Sequence, residues 1–228
     1  MLRHPGQRYS SGWAAPKYHR AVPDPRTQLV SDAYDAMGQT FAAWREGFVG
    51  DPRREWEEDL VSRLADGARV LELGCGGGSP ETRRLARRFA VTGVDISPRQ
   101  VERARAAIPE AEFVCADFTE LELPPGSFDA VVSFVVFNHV PRELLAPLLG
   151  RIHGWLVPGG RLLSAFGASD NPGWTGEWLG AETFFAGFAP DVNSRLVREA
   201  GFTIERDEVV AYESPDGQEQ FQWVLAQV

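Results

Sequence analysis

Residues 70–79, which read VLELGCGGGS, decide the fold of this chain. A short apolar strand over residues 70–73 leads directly into a glycine-rich turn, and a helix is predicted from about Ser79 to Phe89. Glycines in such a turn allow positive φ and let the backbone approach a ligand closely. In an open parallel sheet this turn lies at the carboxyl ends of the strands, where ligands bind. The stretch therefore predicts a ligand-binding turn between a strand and a helix.

An acidic residue ends the next predicted strand, which runs over residues 91–94. Asp95 follows Gly74 by 21 residues, and a carboxylate at that strand tip can accept hydrogen bonds from both hydroxyls of a ribose. The glycine turn and the acid together indicate a nucleoside ligand, which is either a dinucleotide or S-adenosylmethionine.

Two features separate these ligands. The dinucleotide pattern G-x-G-x-x-G needs a glycine three residues after its second glycine, but Ser79 stands three residues after Gly76, and Glu81 three after Gly78. Glu72 would also repel a pyrophosphate, whereas it can help to hold a cationic aminoacyl ligand. The balance favours S-adenosylmethionine, and a nicotinamide-dependent oxidoreductase is the disfavoured alternative.

The rest of the chain alternates between strand and helix patterns. The expected strands lie at residues 112–115, 128–135, 161–166, 202–212 and 220–228, and the expected helices at residues 97–107, 142–155 and 191–200. Alternation of this kind implies a parallel sheet with right-handed helical crossovers. The short connection between the last two strands suits a hairpin. We therefore expect an α/β, doubly wound sheet, mostly parallel, with an antiparallel last strand.

The N-terminal part of the chain has a different character. Residues 1–30 are rich in proline and basic residues and show no apolar period, so they are predicted to form a flexible arm. Residues 31–50 are predicted to form a helix, since apolar and aromatic side chains recur there at steps of three and four. A second helix is expected from about Arg53 to Ala65. The predicted organisation is thus an arm, 1–30, and one domain, 31–228.

Composition excludes several classes of function. The formal net charge of −9 disfavours polyanions, so nucleic acid is not an expected partner. The two cysteines and four histidines do not cluster, so no protein-bound metal is expected. No apolar stretch approaches the roughly 20 residues that span a bilayer, and no secretory signal pattern stands at the N-terminus. A cytoplasmic protein is expected, and its oligomeric state is left open.

Residues 72–78 resemble the E/D-x-G-x-G-x-G signature of class I S-adenosylmethionine-dependent methyltransferases. The likeness continues in order through Asp95 and residues 116–118, 128–131 and 156–160, and it covers about residues 60–228. This ordered set of motifs is more specific than a lone glycine turn. The resemblance implies a seven-stranded Rossmann-like sheet with a reversed final strand, and an N-terminal helical lid.

The resemblance also implies a set of cofactor-binding residues. They are Glu72, Gly74, Cys75, Gly76, Gly78, Asp95, Ile96, Asp117, Phe118 and Phe134. In this set Asp95 would bind the ribose hydroxyls, Asp117 the adenine amine, and Glu72 the aminoacyl part. Core packing is the alternative for Ile96 and Phe118, and capping of a turn for Asp117. The product formed from the cofactor would be S-adenosylhomocysteine.

The acceptor pocket is expected between the lid helix, 31–50, and an aromatic insert, 167–190. Its predicted lining residues are Tyr34, Phe41, His139, Trp174, Trp178 and Phe185. His139 is the one candidate general base, since a neutral imidazole can take a proton near pH 7; a structural histidine is the alternative. For the lid, the alternative is an amphipathic helix packed on the core. Asp170 and Glu177 are either polar contacts or solvated carboxylates.

Two departures from the family pattern bear on this pocket. Phe41 stands where a tyrosine is common, and residues 186–188 read Ala-Gly-Phe where relatives often carry Ser-His-Phe. Aromatic walls suit a flat or largely apolar acceptor. The function implied is methylation of an O, N or C atom of a small molecule, with natural-product biosynthesis as a setting. The alternatives are a non-methylating enzyme that binds the same cofactor and a protein methyltransferase.

Overall fold

The computed structural model describes residues 17–18 and 24–228. Numbered in chain order, its helices are α1 (Pro25–Met37), α2 (Gln39–Glu46), α3 (Arg53–Val61), α4 (Pro80–Ala86), α5 (Pro98–Ala107), α6 (Arg142–Trp155) and α7 (Pro190–Glu199). Short 3₁₀ turns cover Phe118–Glu120 and Phe137–His139. The strands are β1 (Lys17–Tyr18), β2 (Arg69–Leu73), β3 (Ala90–Asp95), β4 (Glu112–Cys115), β5 (Leu121–Glu122), β6 (Phe128–Ser133), β7 (Leu156–Gly167), β8 (Asn171–Trp178), β9 (Ala181–Gly187), β10 (Thr203–Ser214) and β11 (Gly217–Gln227).

Seven of the described strands form one sheet in the order β10-β11-β7-β6-β2-β3-β4. The pairs among β4, β3, β2, β6 and β7 are parallel, whereas β11 runs antiparallel to both of its neighbours. The predicted doubly wound, Rossmann-like sheet with a reversed last strand is confirmed. Its carboxyl edge brings the ends of β2, β3 and β6 together, which places the glycine turn beside Asp95.

Apolar side chains pack on both faces of this sheet. One core cluster joins the sheet to α6 and α7 and includes Leu148, Leu149 and Ile152, all fully buried. The other lies under α3 and α4 and includes Trp56, Leu60 and Trp223, which are also fully buried. In the described part of the chain, no helix combines the length and apolar character needed to cross a membrane.

The prediction of one helix over residues 31–50 is wrong. The structure has two helices, α1 and α2, which meet at Gly38 with φ 54° and ψ −117°, a backbone conformation that favours glycine. The amide of Gly38 donates to the carbonyl oxygen of Tyr34 at 3.4 Å. Because the apolar residues recur at helical spacing across this glycine, the sequence pattern did not indicate that the helix ends there.

The boundary of the predicted arm is also wrong at residues 24–30. Asp24 caps α1 by accepting from the amide of Arg26 at 2.9 Å, and Pro25 occupies the first turn, where proline is favoured. The proline that was taken as a sign of disorder thus belongs to a helix start. Residues 17–18 pair with β5, and the remainder of the arm, 1–16 and 19–23, lies outside the described residues.

One predicted strand boundary is wrong, and the insert that follows β7 has a regular structure. The fourth predicted strand, 128–135, ends at Ser133, because Val135 takes a positive φ of 57° that ends the extended backbone. The insert at residues 167–190 is an antiparallel hairpin, β8–β9, with residues 174–178 paired to residues 181–185. Its turn contains Leu179 and Gly180, both with positive φ, as tight hairpin turns require.

Candidate cofactor and acceptor site

The glycine turn and the strand-tip acid are in direct contact. The amide of Gly76 donates to Oδ2 of Asp95 at 2.9 Å, and the amide of Ser97 donates to Oδ1 at 2.9 Å. Burial raises the pKa of Asp95 to about 6, although both amide hydrogen bonds favour its ionised form. The carboxylate is therefore held in one orientation at the carboxyl end of β3.

Gly74 is the position at which the turn cannot carry a side chain. Its φ is 74°, and a Cβ there would lie 2.3 Å from Cγ2 of Val136. Its amide donates to the carbonyl oxygen of Val94 at 2.7 Å. The bare backbone at Gly74 thus packs between the ends of β3 and β6.

Glu72 lies at the floor of the turn with 2% of its surface exposed. The hydroxyl of Thr82 donates to its Oε1 at 3.1 Å, whereas Oε2 is buried and has no partner among the described residues. Burial raises the pKa of Glu72 to about 8. A buried acceptor without a partner costs about 1–3 kcal/mol, so a cation at this point would relieve that cost.

A single cavity of about 960 Å³ runs along this edge of the sheet. All sixteen residues predicted to bind cofactor or acceptor line it, the ten of the cofactor set and the six of the acceptor set. The volume is near the top of the usual range for small-molecule sites, about 300–1,000 Å³. One cavity thus joins the nucleoside side of the site to the aromatic side.

Aromatic rings from four elements, α1, α2, β8 and β9, form one wall of the cavity. The ring centroid of Trp178, at the end of β8, lies 5.0 Å from that of Trp44, 6.0 Å from Phe41 and 5.5 Å from Phe185. Tyr34 lies 5.1 Å from Phe41. The predicted acceptor residues are therefore brought together, and Trp44, which was not among them, joins them.

His139 connects the two parts of this aromatic wall. Its Nδ1 lies 2.7 Å from the carbonyl oxygen of Phe184, so that nitrogen carries the proton, and Nε2 accepts from the Tyr34 hydroxyl at 2.9 Å. Burial lowers the pKa of His139 to about 4. The imidazole is therefore neutral at pH 7, and both of its nitrogens are engaged.

Polar contacts fix the lid helix and the hairpin to the sheet domain. The carboxylate of Asp35 on α1 accepts from the Ser97 hydroxyl, and Ser31 donates to the carbonyl oxygen of Ile96 at 3.1 Å. On the other side Arg142 donates to Asp170 and to the carbonyl oxygen of Gly187. Asp170 holds the hairpin through this ion pair, and neither Asp170 nor Glu177 lines the cavity.

The sequence patterns did not indicate three further polar residues that line the cavity. Arg45 of α2, Arg53 of α3 and Tyr212 of β10 line it, and Tyr212 is far from the two arginines in the chain. Local spacing in the sequence could not indicate this group of residues. Its members come together only through contacts among α2, α3 and the β10–β11 hairpin. Asp117 also lines the cavity, and its Oδ1 caps the following turn by accepting from the Thr119 amide at 2.8 Å.

Comparison with known proteins concerns mainly one segment of the chain. Residues 70–160 match the family model described as a methyltransferase domain. The chain is similar to class I S-adenosylmethionine-dependent methyltransferases. The residues present fit the family's cofactor, since a bare glycine turn, an acid at the tip of β3 and the unpartnered Oε2 of Glu72 meet in one cavity.

Similar proteins act on varied small molecules according to their names. The chain is 34% identical over 160 residues to the 27-O-demethylrifamycin SV methyltransferase of Amycolatopsis mediterranei, covering 60% of this chain and 58% of the relative. It is 40% identical over 110 residues to the 2-methyl-6-phytyl-1,4-hydroquinone methyltransferase of Synechocystis, covering 46% and 34%. The chain thus spans between about a third and three fifths of these relatives' lengths.

Among solved structures, the likeness extends over nearly the whole chain. The crystal structure of 1,6-didemethyltoxoflavin-N1-methyltransferase from Burkholderia thailandensis, with bound 1,6-didemethyltoxoflavin and S-adenosylhomocysteine, covers 94% of this chain and 99% of its own, with a TM-score of 0.62 and 23% identity. At that identity the likeness concerns the fold.

Proposed function

We propose that this chain transfers a methyl group from S-adenosylmethionine to an O, N or C atom of a small, flat or largely apolar molecule. The observation that carries the proposal is the single cavity that joins the glycine turn and Asp95 to the aromatic wall. A volume of about 960 Å³ leaves space for an acceptor beside a bound nucleoside. The acceptor would lie against Trp178, Phe41 and Phe185.

When bound, S-adenosylmethionine supplies an electrophilic methyl group on a positively charged sulfur. The chain's own residues then have to hold the acceptor atom in line with that methyl group and to keep water out. Such positioning can contribute up to about 7–11 kcal/mol to lowering the barrier. The acceptor atom gives the electron pair for the new bond to carbon, and the sulfur keeps the pair of the bond that breaks.

His139 fits a positioning role better than the predicted role of general base. Its Nε2 lone pair already accepts from Tyr34, and the low pKa of its imidazole, about 4, makes it a weak proton acceptor at neutral pH. By binding Tyr34 and the carbonyl oxygen of Phe184, it ties α1 to the hairpin. A basic catalyst is useful only for an acceptor that must lose a proton.

The acceptor class is supported by the aromatic wall and by the names of the relatives. Rifamycin and hydroquinone acceptors are named for two similar proteins, and both names denote molecules with ring systems that suit stacking against aromatic side chains. We therefore propose phenols, hydroquinones and heteroaromatic amines as acceptors, with natural-product biosynthesis as the setting. The cytoplasmic location and the exclusion of nucleic acid partners stay predictions.

The test is a search for methylated products. The protein is incubated with S-adenosylmethionine labelled in the methyl group and a panel of these acceptors, and products are analysed by mass spectrometry. We expect a product that carries one labelled methyl group, together with S-adenosylhomocysteine, and about 100-fold less product with the Asp95→Asn variant at a low concentration of S-adenosylmethionine. An acceptor converted without gain of the label would contradict the proposal in favour of a non-methylating enzyme. Label transferred only to polypeptides would indicate a protein methyltransferase.

A further inference from the structure

A short loop after β6 joins the two sides of the cavity. Val136 packs on the glycine turn, since a Cβ at Gly74 would lie 2.3 Å from its Cγ2. The ring centroid of His139 lies 4.6 Å from that of Phe185 in the aromatic wall. Asn138 stands between Val136 and His139 in the chain and also lines the cavity. Its side chain therefore lies where the nucleoside side of the cavity meets the aromatic side.

The neighbours of Asn138 fix the backbone of this loop. The amide of His139 donates to the carbonyl oxygen of Val136 at 2.9 Å. Phe137 is 3% exposed and packs on Phe166, with ring centroids 5.3 Å apart. In a 3₁₀ turn successive side chains point about 120° apart, so the side chain of Asn138 does not follow Phe137 into the core. Its position is thus set by contacts that its own amide does not make.

The amide oxygen of Asn138 lacks a donor. Oδ1 is buried and has no hydrogen-bond partner among the described residues. A Cβ at Gly167, the last residue of β7, would lie 3.9 Å from the Cβ of Asn138, so the neighbouring strand presents bare backbone on this side. A buried acceptor without a partner destabilises the ligand-free protein. Because the torsion that turns an amide has a broad minimum, Oδ1 can rotate toward a ligand in the cavity that offers a hydrogen.

We propose that the side-chain amide of Asn138 binds the attacking atom of the methyl acceptor, and that this atom is a nitrogen or an oxygen that carries a hydrogen. The inference rests on the proposed function and narrows it, because an acceptor carbon offers no polar hydrogen. Amines and hydroxyl compounds share this chemistry, and the experiment below separates them. A site that binds an N–H or O–H of its substrate discriminates strongly against analogues without one.

The amide of Asn138 orients the acceptor atom and takes no proton from it. Once Oδ1 accepts the hydrogen, a lone pair of the same nitrogen or oxygen is free to point at the methyl group. That pair forms the new bond to carbon, and the sulfur keeps the pair of the bond that breaks. The hydrogen stays on the methylated atom, which then releases a proton to water.

The experiment compares the wild type with Asn138→Leu, which keeps a branched side chain but makes no hydrogen bond. The acceptor is the phenol, hydroquinone or heteroaromatic amine of the panel that the wild type converts fastest. We expect kcat/KM for this acceptor to fall by about 10- to 100-fold, while the affinity for S-adenosylhomocysteine, measured by calorimetry, changes by less than about 3-fold. The Tm of the ligand-free protein should rise by about 2–4 °C, because the buried oxygen without a partner is gone.

Gln218→Leu is the matched control, because Gln218 is an exposed amide of β11 that does not line the cavity. It should change none of the three quantities. If Asn138→Leu lowers the Tm and the affinity for S-adenosylhomocysteine together with kcat/KM, the role of Asn138 is merely structural and the inference is overturned. If Asn138→Leu does not fold at all, Asn138→Ala, which adds no bulk, decides by the same kcat/KM and affinity measurements.

A third variant, Asn138→Asp, separates amine acceptors from hydroxyl acceptors. Its carboxylate keeps an accepting oxygen and can also take a proton. With an amine acceptor, kcat/KM should stay closer to the wild-type value than to that of Asn138→Leu. With a hydroxyl acceptor it should exceed the wild-type value, because a hydroxyl has to lose its proton. Activity as low as that of Asn138→Leu would overturn the inference.

Failure of the proposed function looks different from failure of this inference. Wild-type protein that methylates no member of the panel contradicts the proposed function, and the inference with it. Label found on an acceptor carbon, or an unchanged kcat/KM in Asn138→Leu, overturns the inference alone, since methyl transfer by the wild type is then observed.

Discussion

The two walls of the cavity are built in different ways. The cofactor wall consists of the turn at residues 74–78 and the ends of β3, β4 and β6, and hydrogen bonds from backbone amides fix it. Examples are the bonds from the Gly74 amide to the carbonyl oxygen of Val94 at 2.7 Å and from the Gly76 amide to the carboxylate of Asp95 at 2.9 Å. The acceptor wall consists of α1, α2 and the β8–β9 hairpin, and side-chain contacts hold it against the sheet domain.

This difference has consequences for stability and for specificity. The ion pair between Arg26 of α1 and Glu143 of α6 joins side chains that are 35% and 60% exposed, and exposed pairs contribute only about 0–1 kcal/mol. Elements held by such contacts open more readily than core strands. The family model matches residues 70–160, which contain most of the cofactor wall, whereas the acceptor wall lies mainly outside it. We infer that the first wall sets the cofactor and the second sets the acceptor.

The largest effect is expected from a substitution in the cofactor wall. Asp95→Asn removes the charge that would accept from two ribose hydroxyls, and each charged hydrogen bond contributes about 1.5–3 kcal/mol. We expect the affinity for S-adenosylhomocysteine to fall by about 100-fold or more, measured by calorimetry. Asp129→Asn is the control, since Asp129 accepts from Arg69 at the opposite edge of the sheet. Similar affinities for S-adenosylhomocysteine in the two variants would show that Asp95 does not bind this ligand.

A smaller effect is expected from a substitution that changes the acceptor wall alone. Trp178→Ala removes a ring that contacts Tyr34, Phe41, Trp44 and Phe185, and each aromatic pair is worth about 0.5–1.5 kcal/mol. We expect methyl transfer to slow by about 10- to 100-fold, while the affinity for S-adenosylhomocysteine changes by less than about 3-fold. Product formation and calorimetry measure the two quantities on the same variant.

A matched substitution tests whether this effect belongs to the wall as a whole. Trp174 is 46% exposed and pairs with Phe185, so Trp174→Ala should slow transfer less than Trp178→Ala does. If Trp178→Ala instead weakens cofactor binding as strongly as it slows transfer, the two walls do not act separately.

The smallest expected effect concerns pH and again the cofactor wall. Burial raises the pKa of Asp95 to about 6, so in the ligand-free protein the carboxyl is ionised at pH 7 and mostly protonated at pH 5. Ribose hydroxyls bind the ionised form better, hence the affinity for S-adenosylhomocysteine should fall by up to about tenfold from pH 7 to pH 5. Glu72 stays protonated over this range, since burial raises its pKa to about 8. In the Asp95→Asn variant the affinity for S-adenosylhomocysteine should depend less on pH. An equally steep pH dependence would show that a group other than Asp95 titrates.

The sheet and the cofactor wall were predictable because their signals are local. A strand followed by glycines, and an acid at the end of the next strand, define a site once parallel strands end at one edge. The mostly parallel sheet with an antiparallel last strand followed from alternation and from the final hairpin, whereas the spatial order of the strands was not predicted. The break at Gly38 was not predicted, because the apolar period continues across it, and the start of α1 at Asp24 was missed, because its proline was read as disorder.

The sequence by itself determined the sheet, the position of the glycine turn and the pairing of that turn with Asp95. Tertiary structure alone decided the hydrogen bond between Tyr34 and His139, which are 105 residues apart, and the contact of Trp44 with Asp216, which are 172 residues apart. The physical reason is the sequence separation over which each kind of interaction acts. Turn chemistry and periodicity act over a few neighbouring residues, whereas these contacts depend on how helices and hairpins pack on the finished sheet.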